Sequence, residues 1–211
     1  IAGKHKGAGM LLYPAQVAEV LAPIAEYPEI QFSLKMRLGW ENASECMVLV
    51  ELLNTLRLSR IALHARTGKQ QYKGHPDLEA FQGFYELCQH PLYYNGDIES
   101  LSDIRQILIR FPLLKGVFIG RGLLSSPLLA KEFKGNETFL PEQRMSIYFA
   151  FHEELFSAYS QVLQGETQLL VKMKTLWEYF LPETDRKLLK RIKKSTRLQQ
   201  YTESVKAIFT S

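Results

Sequence analysis

Four short segments that read as strands, separated by segments of helical spacing, constrain this chain more than any other feature. The first is IQFSLKMRLGW at 30–40, where Phe32, Leu34, Met36 and Leu38 alternate with Ser33, Lys35 and Arg37. Successive side chains of a strand point to opposite faces, so a period of two predicts a strand. RIALHAR at 60–66, LYYNGDI at 92–98 and GVFIGRG at 116–122 are the other three. Helices are predicted at 14–27, 44–58, 76–90 and 100–111. Pro14 suits a first helical turn, and Ser100 with Asp103 three residues on is a capping signature. Strands begin roughly every 25–30 residues. Short strands alternating with helices imply parallel βα units, and both a doubly wound sheet and a TIM barrel fit.

After Pro141 the pattern changes. Residues 141–164, 166–181 and 184–209 read as helices, and no strand candidate follows. The expected organisation is therefore an α/β domain over 1–140 and a small helical domain over 141–211. Within the latter, RKLLKRIKKSTR at 186–197 carries seven basic residues and no acidic one. A period of 3.6 places Lys187, Lys190, Arg191 and Lys194 on one stripe, with Leu188, Leu189 and Ile192 inward. Such a stripe suits a nucleic-acid backbone; the plainer reading is a solvated face.

Composition narrows the class only a little. The chain has 211 residues, 46% apolar and 23% charged, with a net charge of +4. That is mildly basic and compatible with an anionic partner. No apolar run reaches the roughly 18 to 20 residues of a membrane span. Cys46 and Cys88 have no metal-like spacing and read as reduced packing thiols of a cytosolic protein. The opening IAGKHKGAGMLL begins with Ile1, has no signal-peptide pattern and reads as a loop entering a helix. The expectation is a chain whose N-terminal part is missing.

Polar residues gather at the C-terminal ends of the four strands: Lys35 and Arg37, then His64 and Arg66, then Asn95 and Asp97, then Gly120 and Arg121. In a parallel barrel that edge is the active-site face. Lys35 and Arg37 lie on the non-apolar side of their strand. In a barrel mouth an unpaired buried charge is costly, so an anionic partner is expected for Lys35. His64 shares that parity. Asn95-Gly96-Asp97 and Gly120-Arg121-Gly122 offer glycine backbone and an arginine where barrels often bind phosphate. HARTGKQQYKG is not a P-loop, because Gly68-Lys69 lacks the upstream glycine and the following Ser or Thr.

Taken in order, these motifs resemble those of the tRNA-dihydrouridine synthases. LKMRLGW resembles that family's VKxRLGW strand, and HARTGKQQYKG its HGRTxxQxYxG. NGDI and IGRGLLSSP resemble its NGDI and IGRGxxxxP, GKHKGAGMLL the segment after its catalytic loop, and VKMKTLWEYF the start of its helical tRNA-binding domain.

The resemblance implies strands five to eight of a TIM barrel with FMN in its mouth and a helical domain that grips tRNA. Lys35 would contact the isoalloxazine ring and favour its anionic reduced form, and His64 would donate a hydrogen bond to the flavin or its phosphate. Backbone at Asn95, Gly96, Asp97, Gly120 and Arg121 would hold the phosphate. Arg37, Arg66, Lys187, Lys190, Arg191 and Lys194 would contact RNA, Arg37 and Arg66 with the flavin as an alternative. NADPH would reduce the flavin, which would pass hydride to C6 of a flipped-out uracil. The whole protein would be a cytoplasmic, monomeric oxidoreductase without a metal. The family's general-acid cysteine sits in an NxGCP loop that would precede Ile1, so this chain alone is expected to be inactive. Two other readings compete. One is another FMN-dependent TIM barrel related to dihydroorotate dehydrogenases or old yellow enzyme. The other is a non-catalytic tRNA-binding protein on a degraded barrel.

Overall fold

In a computed structural model, which describes residues 5–210, the four alternating segments are strands of one parallel sheet. They are β1 (Phe32–Gly39), β2 (Leu58–Thr67), β3 (Leu92–Asn95) and β4 (Gly116–Phe118), neighbours in that order. The pairing register joins Lys35 to Ala62 and Tyr93, and Arg37 to His64 and Asn95. Paired residues of parallel strands share a face, so Lys35, Arg37, His64 and Asn95 stand on one side. Leu34, Met36, Ile61, Leu63, Leu92 and Tyr94 take the other.

That apolar side is what the helices cover. They are α1 (Pro14–Leu21), α2 (Val50–Thr55), α3 (Leu78–Leu87) and α4 (Leu101–Arg110). Leu38, Ile61, Leu63, Phe81, Phe84 and Ile104 are fully buried there. Phe81 meets the rings of Tyr94 and Phe111 edge-on, each with centroids 5.0 Å apart. Edge-to-face geometry suits the quadrupoles of aromatic rings. The caps follow from sequence: Asp77 accepts from the Ala80 N–H, and Ser100 with Asp103 forms a reciprocal capping box.

Helix boundaries differ from the sequence reading. The segment at 14–27 is α1 followed by a 3-10 turn at Ala22–Ala25, broken by Pro23. The segment at 44–58 is a 3-10 turn, Glu45–Leu49, leading into α2, and residue 58 already belongs to β2. Gly7–Leu12 is a 3-10 turn. The reading of residues 1–4 as loop lies outside the described residues.

The chain divides into two compact units, 1–120 and 121–211. The described elements of the second are helices: α5 (Arg121–Ser125), α6 (Leu129–Gly135), α7 (Pro141–Val162), α8 (Glu166–Leu176), α9 (Arg186–Lys194) and α10 (Leu198–Phe209). The first two precede residue 141, where the change of pattern marked a boundary. One expected helix, 184–209, is two. Ser195 leaves the helical region at φ −58°, ψ 136°; its hydroxyl turns back to the Ile192 carbonyl, and the Lys174 ammonium takes its own carbonyl. Trp177, Phe180, Ile192, Tyr201 and Met173 form the centre of this unit's core.

Candidate functional site

The C-terminal edge of the sheet is built as a row. Arg37 on β1, His64 on β2 and Asn95 on β3 are in register across three strands. The Asn95 amide reaches on to the Phe118 carbonyl of β4, 2.9 Å away. The Asn95 amide nitrogen thus joins the ends of β3 and β4.

His64 is buried, 6% exposed, and no hydrogen-bond partner of its ring is found among the described residues. Burial lowers its pKa to about 4, helped by the charges of Arg37, Lys35 and Arg66 and opposed by Asp97. At neutral pH it is a neutral imidazole, one nitrogen a donor and the other an acceptor. Lys35 is exposed, so the expected cost of an unpaired buried ammonium does not arise, and that argument for an anionic partner falls away. Its pKa is lowered, first by partial shielding from water and then by Arg37. Arg37 donates through one guanidinium nitrogen to the Thr67 and Gln71 carbonyls at 2.9 and 3.2 Å, tying β1 to the loop after β2.

Arg66, a candidate for RNA or flavin contact, is turned inward in this structure. It is 1% exposed and grips the Asp97 carboxylate with both terminal nitrogens, at 2.7 and 2.5 Å. It also donates to the Gly74 carbonyl at 2.6 Å, while its Nε is buried without a partner. So Arg66 and Asp97 brace each other. Asp97 holds a left-handed φ of +37°, and Gly96 beside it has φ +152°. A Cβ on Gly96 would lie 2.8 Å from the Tyr94 hydroxyl, so the glycine is required by packing. A Cβ on Gly120 would meet nothing within 4 Å. Arg121, bonded to it, opens α5 in the second unit.

Several organising residues were given no role by the sequence. Glu45 accepts from three successive backbone N–H groups, Trp40 at 2.7 Å, Glu41 at 3.1 Å and Asn42 at 2.8 Å, fixing the turn after β1. Gly39 and Gly68 pair by a 2.8 Å backbone bond, and a Cβ on Gly68 would sit 2.1 Å from the Trp40 ring. Gln70 donates to the Lys73 and His75 carbonyls, closing the loop after β2. Nothing in spacing or periodicity marks them, because each acts through a turn. Cys46 is fully buried and its thiol is pushed up to about 12, that of an inert packing residue. Burial raises Cys88 too. No group of His, Cys, Asp and Glu that could hold a metal occurs among the described residues.

In the second unit the expected basic stripe is present as geometry. Leu188 and Leu189 are partly buried and Ile192 wholly so. Lys187, Lys190, Arg191 and Lys194 are exposed and line one groove of about 400 Å³, shared with the start of α10. No described helix is long and apolar enough to cross a membrane.

A family model described as dihydrouridine synthase matches residues 1–210. A probable tRNA-dihydrouridine synthase of Aquifex aeolicus is 35% identical over 135 residues, 62% of this chain and 42% of the relative. A probable tRNA-dihydrouridine synthase of Rhizobium leguminosarum bv. phaseoli is 30% identical over 128 residues, 60% and 40% respectively. The tRNA-dihydrouridine synthase B of Vibrio vulnificus is 26% identical over 143 residues, 66% and 44%. The chain thus spans less than half the length of these relatives.

Proposed function

The chain belongs to the dihydrouridine synthase family, and from that premise we propose that it is part of an enzyme that reduces uridine to 5,6-dihydrouridine in tRNA. The observation that carries this reading is the row of Arg37, His64 and Asn95, with Lys35 on the same face, at the C-terminal edge of a parallel sheet. The sheet would be strands five to eight of a TIM barrel, whose chemistry sits at that edge.

The residues fit an FMN. The face offers an exposed ammonium, a neutral imidazole and a cationic arginine, and the neighbouring Asp97 carboxylate is held by Arg66. Bound there, FMN would supply hydride transfer from NADPH to C6 of a uracil. Lys35 would set a positive charge against the electron-rich ring system. His64, being neutral, would donate one N–H without adding to the positive charge of Lys35 and Arg37. Arg37, anchored through one nitrogen by Thr67 and Gln71, would present its remaining N–H groups in a fixed direction to flavin or RNA. Backbone at Asn95, Gly96 and Asp97 would hold the phosphate, with Gly120 and the adjoining Arg121 adding N–H groups and charge. The Arg66–Asp97 brace would keep that turn in shape. Lys187, Lys190, Arg191 and Lys194 would contact the phosphates of the tRNA.

The first test is the absorbance spectrum of the purified full-length protein, with any released flavin identified by chromatography. FMN bound or taken up, followed by dihydrouridine formation on unmodified tRNA, is the expected result. Failure to bind added FMN would remove the flavin reading.

A further inference from the structure

The groove between α9 and α10 contains a carboxylate that electrostatic attraction to phosphate does not call for. Four cations line it from α9, and Glu203 and Gln200 line it from α10. Phosphodiesters present only acceptors to a protein, so a carboxylate in their path is repulsive. A simple explanation would be an ion pair that steadies one of the lysines. Among the described residues, however, no lysine or arginine nitrogen lies within ion-pair distance of Glu203. Its one hydrogen bond there is from the Gln199 amide, one turn earlier on α10, to Oε1 at 3.0 Å. That bond steadies the carboxylate and leaves Oε2 able to accept.

The other polar groups of the groove are already engaged as acceptors or turned inward. The Gln200 carbonyl oxygen takes the Thr196 N–H and hydroxyl at 3.1 and 3.3 Å, which leaves its amide as a donor. The hydroxyls of Ser195 and Ser204 are buried and donate to the Ile192 and Gln200 carbonyls. The groove is therefore a field of donors with one exposed acceptor. An RNA strand has the complementary arrangement: each phosphate lies beside a ribose 2′-hydroxyl, which is a donor that DNA lacks.

We propose that Glu203 is a specificity-determining residue, whose carboxylate accepts a hydrogen bond from a ribose 2′-hydroxyl while the α9 cations hold the neighbouring phosphates. This rests on the reading of the groove as an RNA-binding surface. A hydrogen bond to a charged acceptor is stronger than a neutral one, so the discrimination should be about tenfold.

The test uses the full chain and one hairpin sequence made three ways: as RNA, as 2′-fluoro RNA and as DNA. The 2′-fluoro form keeps the ribose pucker and removes the donor, which separates hydrogen bonding from helix shape. By fluorescence anisotropy the unaltered protein should bind RNA about tenfold more tightly than either analogue. Glu203→Ala should bring the three affinities together while DNA binding holds or improves. Circular dichroism verifies that the variant remains helical. An RNA-to-fluoro ratio unchanged by Glu203→Ala, or a ratio of one in the unaltered protein, would overturn the proposal. Absence of binding to all three hairpins, or binding indifferent to Lys190→Ala and Arg191→Ala, would instead overturn the groove reading beneath it.

Discussion

Arg66 and Asp97 show how much one side chain can decide at the sheet edge. A guanidinium 1% exposed is tolerable only because a carboxylate and a carbonyl meet it. Asp97→Ala would leave that cation buried and unpaired. A loss of up to about 3 kcal/mol is expected in urea unfolding, because Arg66 is buried although Asp97 is 31% exposed. A loss below about 0.5 kcal/mol would mean that the pair is easily replaced by water, as at a surface. His64 makes the opposite kind of prediction, one of pH. Its pKa is lowered from 6.5 to about 4 in the folded chain. Between those two values the unfolded chain binds a proton that the folded chain refuses, so stability falls as pH drops through that window and levels off below it. The contribution is at most about 3 to 4 kcal/mol. Nuclear magnetic resonance of the histidine C–H protons should find one ring titrating near the low end of the window. An anion bound in the mouth should raise that midpoint. A midpoint at the ordinary histidine value would contradict the burial described for His64.

At the scale of elements, what was legible is what periodicity encodes. The β1 alternation assigned Lys35 and Arg37 to one face and Leu34 and Met36 to the other, and the register with β2 agrees. Ser100 and Asp103 announced the start of α4. The stripe on α9 was legible because 3.6-residue spacing separates Ile192 from Lys190 and Lys194. The break at Ser195 was not, because it depends on Lys174, twenty-one positions away, taking the Ser195 carbonyl. The engagement of Arg66 with Asp97, across two strands, was hidden for the same reason. The core of the second unit was equally silent. There Tyr201 accepts from the Trp177 indole N–H at 2.9 Å and bonds His152 Nε2 at 2.6 Å, joining α10 to α7 and to the end of α8. Tyr201→Phe removes that oxygen and strands two buried polar groups. Each unsatisfied group costs about 1–3 kcal/mol. A fall in the thermal midpoint with little change in apolar packing is the expected outcome, and a variant as stable as the parent would show that water reaches both groups. Such a fall should also blur the groove, since Gln200 and Ser204 flank Tyr201 on the same helix.

For the molecule as a whole, net charge and local charge make different claims. A net charge of +4 over 211 residues is a weak field, and a protein that bound RNA through it would bind diffusely. Four of the six cations of α9 are instead concentrated on one groove, in a segment with no acidic residue. If each of Lys187, Lys190, Arg191 and Lys194 displaces a counterion from a phosphate, binding should weaken with salt in proportion to their number. At about 0.7 to 0.9 per contact, the slope of log K against log salt should lie near −3. Lys190→Ala should reduce its magnitude by a little under one, and the effect should be the same for every RNA sequence. Lys115→Ala, which removes an equal charge from an exposed position in the first unit, is the control. Under local binding it leaves the slope unchanged, because a charge that touches no phosphate releases no counterion. Equal changes from both substitutions would mean that the net field, and not the groove, attracts the RNA. The two mechanisms thus separate on a measurement that needs neither a cofactor nor turnover, and the discrimination assigned to Glu203 has meaning only under the local one.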